Sequence, residues 1–401
     1  MTTATLHPAM FALAPLLALA AALLLRATQP PRPGLAGVAG VPATLLQGLF
    51  LSPLALAIAL PGVLTPLRIA LLAALALALL ARDREDVLQS ECALKLTWVL
   101  AAAFALSWAG EALLTLAAGT ATAAEQWPAL ALQLDPYGLW SAALSMTLIA
   151  GIVLLGGAPF HFWLADVAQG TRASLAPLVS VALQVAGAAL LVQRLHGIEA
   201  FADAAALVRG QLTIACVLAL LGGAATVATA KRPERRVGLL ASVQGALLLA
   251  SLIATSDAST LPLARWGAHL ALALTGALAL AHFVPVAQDS DAPAATLFRR
   301  HPWSGAAGAY AMLSLAGAPG TPGMSLWLDV ARALVRTRHP GLLLALVVAW
   351  ITAFSVAATS VRAAFASPSP RPAPERAVPW PARAALWLCA AGLAAMALRL
   401  D

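Results

Sequence analysis

From residue 8 to residue 399 the chain is a succession of long apolar runs, separated by short loops that hold most of its charge. Inside a bilayer no water is available to backbone N–H and C=O groups, so a run of about 20 residues that crosses must satisfy them within itself, as a helix. Charge, Pro and Gly bound such runs near 8–25, 43–62, 66–81, 95–118, 138–158, 173–193, 211–230, 237–255, 262–286, 303–335, 340–366 and 382–399. The composition agrees: 61% of residues are hydrophobic and 10% charged, against roughly 45–50% and about 25% for a soluble domain. A water-soluble fold is excluded. The expectation is an all-α polytopic transmembrane bundle of about 12 helices, a single membrane domain over 1–401.

The net charge of +7 comes from 24 Lys and Arg against 17 Asp and Glu. The basic residues gather in short loops, Arg82 to Lys95, Lys231 to Arg236 and Arg299 to Arg300, which is how cytoplasmic loops look under the positive-inside rule. The excess is therefore assigned to topology, and nucleic acid is set aside as a partner. Both chain ends are expected outside, with a bacterial cytoplasmic (inner) membrane as the location and membrane lipids as surroundings. Residues 1–25 lack the basic start of a cleaved signal and read as the first membrane helix. Cys92, Cys216 and Cys389 are isolated, which argues against disulfides, zinc or iron-sulfur ligation.

Two spans are interrupted in the same way, at Gly157-Ala158-Pro159 and at Gly317-Ala318-Pro319-Gly320-Thr321-Pro322-Gly323. Five helix starts separate them, so the chain reads as two five-helix repeats, and an odd number inverts the second. Discontinuous helices at matching positions of inverted repeats are the layout of ion and solute transporters, where freed carbonyls line a polar cavity.

An ionised side chain at mid-bilayer costs at least about 2.5–3.5 kcal/mol, so each one needs a reason to be there. Glu111 lies two-thirds along its span and reads as a proton-relay carboxylate or, alternatively, as a hydrated group near the outer interface. His161, after the first break, is placed to donate to the freed carbonyls in a structural role. Asp166 and Arg172 flank the next loop and are expected to pair, while Asp329, after the second break, is expected to cap its short helix. His269 and His282 share one helix but are offset by about 140° at 3.6 residues per turn, so at most one faces a common polar axis. Gln184 is a membrane amide able to hold a water or a neighbouring helix. No nucleophile-base pair, phosphate loop, metal-ligand spacing or haem motif is present; GAPGTPG lacks the Lys and Ser/Thr of a P-loop.

GGAPFHFWLADVAQG (156–170) resembles the "PFHxWxPDVxxG" signature of the antiporter-like membrane subunits of proton-translocating NADH-quinone oxidoreductase, respiratory complex I. Their relatives in cation/proton antiporter complexes and membrane-bound hydrogenases share it, and the DV-x-QG ending leans toward the subunit N branch. KRPERRVGLLAS (231–242) is similar to the family's basic loop, and LSLAGAPGTPG (313–323) to its "SLAGIPGTPGF" helix break. The resemblance divides the chain into divergent N-terminal helices (1–136), an antiporter-like core (137–366), and a Pro-rich linker with the last helix (367–401). It also implies partners: other membrane subunits and a peripheral redox arm holding flavin, iron-sulfur clusters and quinone, with no cofactor or metal in this chain.

In that family protons are thought to move along a mid-membrane row of a Glu and several Lys. Glu111 matches the Glu in its local pattern, but Leu154, Gln184 and Trp327 stand where the relay expects Lys, His or Glu. The chain has only two lysines, Lys95 and Lys231. A relay needs a group whose protonation can be shifted by a neighbouring charge, and Leu, Gln and Trp have none. The expected function is a membrane subunit of a complex I-like or hydrogenase-type complex with degenerate or lost pumping and a scaffold role. The alternative is a subunit of a cation/proton antiporter or inorganic-carbon uptake complex.

Overall fold

A computed structural model describes residues 87–120, 123–131, 138–171, 175–195, 198, 201–254, 263–283, 301–365 and 380–398. The expected spans near 8–25, 43–62 and 66–81, and most of the Pro-rich linker, lie outside the described residues. Those residues form twelve helices: α1 (Val87–Ala118), α2 (Ala123–Ala131), α3 (Leu139–Leu155), α4 (Phe162–Gly170), α5 (Ala176–Leu195), α6 (Ala202–Thr229), α7 (Pro233–Ala254), α8 (Leu263–Phe283), α9 (Pro302–Leu315), α10 (Pro322–Arg336), α11 (Pro340–Phe365) and α12 (Trp380–Ala397). Seven of them, α1, α5, α6, α7, α8, α11 and α12, are long and apolar enough to cross a membrane, and α3 is a shorter apolar helix. The chain is a multi-pass membrane protein.

The two interrupted spans are each split into two helices, α3 with α4 and α9 with α10. Other boundaries move. α1 starts at Val87 rather than 95, because Glu91 and Lys95 pair one turn apart at 2.6 Å and let the helix run through charged sequence. α6 starts at Ala202 rather than 211, with Asp203 in its first turn, where a carboxylate complements the helix dipole. The short α2 occupies a stretch that reads as loop, and carries Pro128.

α7 is the central post. It is buried on every residue from Val237 to Ala254 and packs on α4, α6, α8 and α10. Without a hydrophobic drive between helices in lipid, close approach of backbones supplies the packing, and small residues permit it. Gly238 brings α7 so near α4 that an added Cβ would lie 2.8 Å from Ala165 Cα. One and two turns on, Ser242 and Gly245 face the first break, where a Cβ on Gly245 would overlap the Leu155 carbonyl oxygen. This contact sets the polar groups of α7 against both breaks.

Gly245→Ala is therefore expected to lower stability by about 1–3 kcal/mol through overpacking. Gly210→Ala, where nothing lies within 4 Å, should raise it by roughly 0.5–1 kcal/mol. Thermal unfolding in detergent measures both; a Gly245→Ala midpoint at or above wild type would contradict the packing of α7 on the break.

Candidate functional site

α3 ends at Gly156, whose φ of 75° is the left-handed conformation that glycine adopts without a Cβ clash. Its N–H bonds the Val153 carbonyl at 3.0 Å and that of Gly157 bonds Ile152 at 2.9 Å, a Schellman cap, and Phe160 N–H then reaches Gly157 O at 2.8 Å. The second break repeats this 161 residues later. Gly317 has a φ of 71°; its N–H bonds Ser314 O at 3.0 Å, that of Ala318 bonds Leu313 O at 2.9 Å, and that of Thr321 bonds Ala318 O at 3.2 Å. Gly157, Pro159 (after a cis peptide), Pro319, Pro322 and Gly323 all belong to these turns or to the first residues after them. Five crossings separate the two breaks, so they point in opposite directions across the bundle.

A buried carbonyl without a donor costs about 1–3 kcal/mol, so the breaks hold only if something bonds them. At the first break Trp163 Nε1 donates to Val153 O (3.0 Å), Gln184 Nε2 to Leu155 O (2.9 Å) and Ser242 Oγ to Gly156 O (2.6 Å). At the second, Gln244 Nε2 donates to Leu315 O (2.6 Å) and Trp350 Nε1 to Gly317 O (2.9 Å). Every one of these donors is neutral. His161, expected among them, is half-buried and makes no hydrogen bond to these carbonyls; its Nδ1 has no protein partner.

Between the breaks runs a buried polar axis. Gln184 also donates to Ala241 O at 2.8 Å, tying α5 to α7. The Gln244 carbonyl receives Trp266 Nε1 at 3.1 Å, and His269 Nε2 lies 3.0 Å from Ser314 Oγ. Gln184, Gln244 and His269 are each 0% exposed. Gln184 Oε1, Gln244 Oε1 and His269 Nδ1 have no protein partner. His282 lies exposed toward the other end of α8 and does not join the axis.

Of the other positions where the resemblance expects relay groups, Leu154 and Trp327 lie beside this axis, and Glu111 lies apart from it, against the end of α5. Leu154 and Trp327 are buried, and Trp327 stacks on Trp350 with ring centroids 5.7 Å apart and planes at 15°. Glu111 forms an ion pair with Arg194 of α5, whose other nitrogen donates to Gln126 of α2 at 3.1 Å. Arg194 was not among the expected site residues. Lys95 lies near the start of α1, 3.6 Å from Asp166, and Lys231 is exposed in the α6–α7 loop.

Two expected charge contacts are different in the structure. Asp166 pairs with Arg235 of α7 at 2.7 Å and with Lys95, because packing brings α1 and α7 onto α4; Arg172 lies outside the described residues. Asp329 does not cap α10. Thr321 holds the N-cap position, and Asp329, two turns in, pairs with Arg265 of α8 at 3.2 Å. Among the described residues no cluster of three or more His, Cys, Asp and Glu has the geometry of a metal site.

Gln244 carries the same sequence signal as Gln184, a lone amide in an apolar run, and was legible by that rule. Ser242, Trp163, Trp266, Ser314 and Trp350 carried no such signal, since Ser and Trp are ordinary in membrane helices.

No family model matches the chain. In sequence it is 31% identical over 231 residues to NADH-quinone oxidoreductase subunit N of Geobacillus kaustophilus (strain HTA426), covering 55% of this chain and 46% of the relative. It is 29% identical over 250 residues to subunit N 1 of Solidesulfovibrio magneticus (strain ATCC 700980 / DSM 13731 / RS-1), covering 61% and 52%. The chain spans about half the length of the curated relatives it matches. In fold it is similar to a chain of respiratory complex I from Thermus thermophilus with bound aureothin, at a TM-score of 0.73 and 23% identity over 97% of this chain and 84% of that one. A chain of the membrane-bound sulfane sulfur reductase, an archaeal respiratory membrane complex, gives 0.75 at 16% identity, covering 97% and 79%. One from the Mrp complex of Dietzia sp. DQ12-45-1b gives 0.70 at 16%, covering 90% and 67%. At these identities the likeness is one of fold.

Gln184→Leu strips a donor from the first break and is expected to cost about 1–3 kcal/mol. Leu154→Met, an apolar swap at a neighbouring buried position, should stay within about 1.5 kcal/mol. Equal unfolding midpoints for the two variants would show that the amide does not hold the break.

Proposed function

Since the chain is related in sequence to subunit N and has the antiporter-like fold, we propose that it is a membrane subunit of a complex I-like, redox-driven complex in which its own module no longer pumps protons. The observation that carries this reading is the chemistry of three positions along the axis where the resemblance expects titratable groups; His269, also on the axis, is not one of them. Leu154, Gln184 and Trp327 occupy the relay positions as packed or hydrogen-bonded neutral groups. The amides do by neutral hydrogen bonding what a lysine ammonium would do at the broken helices, and an amide cannot store or pass on a charge.

Glu111 points the same way. Its partner is a guanidinium, which does not lose its proton in proteins. The pair sets a fixed cation against the carboxylate, and not a second proton carrier. The Glu111–Arg194 pair instead fastens α1 to α5, with α2 attached through Gln126.

The module is thus a scaffold that preserves the bundle's shape for neighbouring membrane subunits. Flavin, iron-sulfur clusters and quinone belong to its partners in this reading. The membrane is the bacterial cytoplasmic one, with the Lys231–Arg236 loop inside and both termini outside, which the bacterial subunit N relatives and the positive-inside rule support. The alternative, a cation/proton antiporter or inorganic-carbon assembly, has the Mrp fold likeness behind it. It requires the titratable groups that these positions lack.

Gentle detergent purification of a tagged copy, followed by mass spectrometry, should recover hydrophilic redox subunits together with other antiporter-like subunits. Recovery of one soluble partner or none overturns the assignment to a redox complex. In proteoliposomes of that complex, Glu111→Gln/Arg194→Gln should leave proton uptake per electron unchanged. The double change avoids stranding a buried charge. Loss of most of the uptake in a folded, assembled variant overturns the non-pumping reading.

A further inference from the structure

α10 ends in a third Schellman cap, with Arg338 N–H bonded to Val335 O at 3.3 Å and His339 N–H to Leu334 O at 3.0 Å. The left-handed slot that Gly156 and Gly317 fill at the two breaks is filled here by Arg338, at a φ of 60°. It is the one non-glycine residue with positive φ among the described residues. Glycine fits such a slot without strain and arginine does not, so the cap's geometry does not account for the side chain.

Arg338 is exposed beside exposed Arg332 and Arg336. The nearest carboxylate along the sequence, Asp329, is already engaged by Arg265 at 3.2 Å and Arg332 at 3.6 Å. Arg336 has an ordinary reason to be in the last turn of a helix, where a cation complements the carbonyl end. Arg338, beyond the last turn, does not share it. Topology does not explain the cluster either. α7, α8 and the α9–α10 pair cross in succession, so it lies at the opposite end of the bundle from the Lys231–Arg236 loop. The positive-inside rule places basic residues at one end only.

From this arginine turn α11 descends with an exposed apolar stripe: Leu344 is 67% exposed, Ile351 61% and Phe354 39%. At 1.5 Å per residue the stripe runs about 15 Å, half of a hydrocarbon core of about 30 Å. A cationic turn at the head of an apolar face one leaflet deep complements a molecule with an anionic head and acyl tails. We infer that the α10–α11 turn and the outer face of α11 form a binding site for an anionic phospholipid, its phosphate on Arg336 and Arg338 and its chains along Leu344 and Ile351. This site is independent of the function proposed above.

The test uses the full-length chain, purified in mild detergent, stripped of lipid, and equilibrated with equal amounts of dioleoyl phosphatidylglycerol and dioleoyl phosphatidylcholine. Mass spectrometry counts the lipid retained. Phosphatidylglycerol should be kept in preference, and Arg338→Gly and Arg336→Ala should each lower the ratio by about fivefold. Lys231→Ala, at the other end, should leave it unchanged. Arg338→Gly should also raise the lipid-free unfolding temperature, so its loss of lipid cannot be put down to misfolding. A wild-type ratio near one, or a ratio that neither arginine variant moves, overturns the proposal. So does displacement of the lipid by inorganic phosphate or by a polyglutamate peptide, which would make the turn a site for a soluble anion or an acidic protein segment.

Discussion

A helix broken in apolar surroundings must have its freed carbonyls bonded by something, and the rest of the bundle is arranged around that requirement. Leu155, Gly156, Leu315 and Gly317 expose carbonyl oxygens where water is scarce. Each unbonded one would cost as much as a large packing defect. The donors come from elsewhere in the chain: Gln184 lies 29 residues from Leu155, Ser242 86 from Gly156 and Gln244 71 from Leu315. The breaks are thus also the points at which distant helices are tied together. This is why α7, which carries two of these donors, sits at the centre and has a small-residue face that lets it approach.

The identity of the donors governs what the axis can do. Ammonium groups at these positions would bond the carbonyls and also carry charge, whereas amides, hydroxyls and indoles only bond. Neutral donors at the breaks hold the architecture without placing a charge on the carbonyls. The formal charges instead fasten the half-helices that follow the breaks. Asp166 on α4 is held by Arg235 and Lys95, and Asp329 on α10 by Arg265, one pair toward each end of the bundle. The first is the more buried, with the Asp166 side chain 10% exposed against 46% for Asp329.

Much of this was legible before any coordinates. Among the described residues, apolar run lengths located the crossings because the bilayer sets a length that a helix must meet, and the paired Gly-Ala-Pro interruptions located both breaks. Gln184 was legible as an amide in apolar sequence. Helix starts were read less well: Glu91, Lys95, Asp203 and Arg209 look like loop residues, yet lie within α1 and α6. Charge marks where a helix leaves the hydrocarbon and not where its hydrogen bonding stops. Asp329 was assigned to a cap because it follows a break closely, but α10 starts seven residues earlier, at Pro322.

The amino-acid sequence by itself determined that this is a helical membrane protein with two matched interruptions, and that no lysine is available for its interior. These follow from composition and spacing, which act locally along the chain. Which donor meets which carbonyl, that Glu111 is held by Arg194, that Asp166 turns to Arg235, and that an arginine fills a glycine slot at the end of α10 were decided by the tertiary structure. Hydrogen bonds and ion pairs act over about 3 Å between residues tens of positions apart, and only the packing of the helices brings such residues within that range.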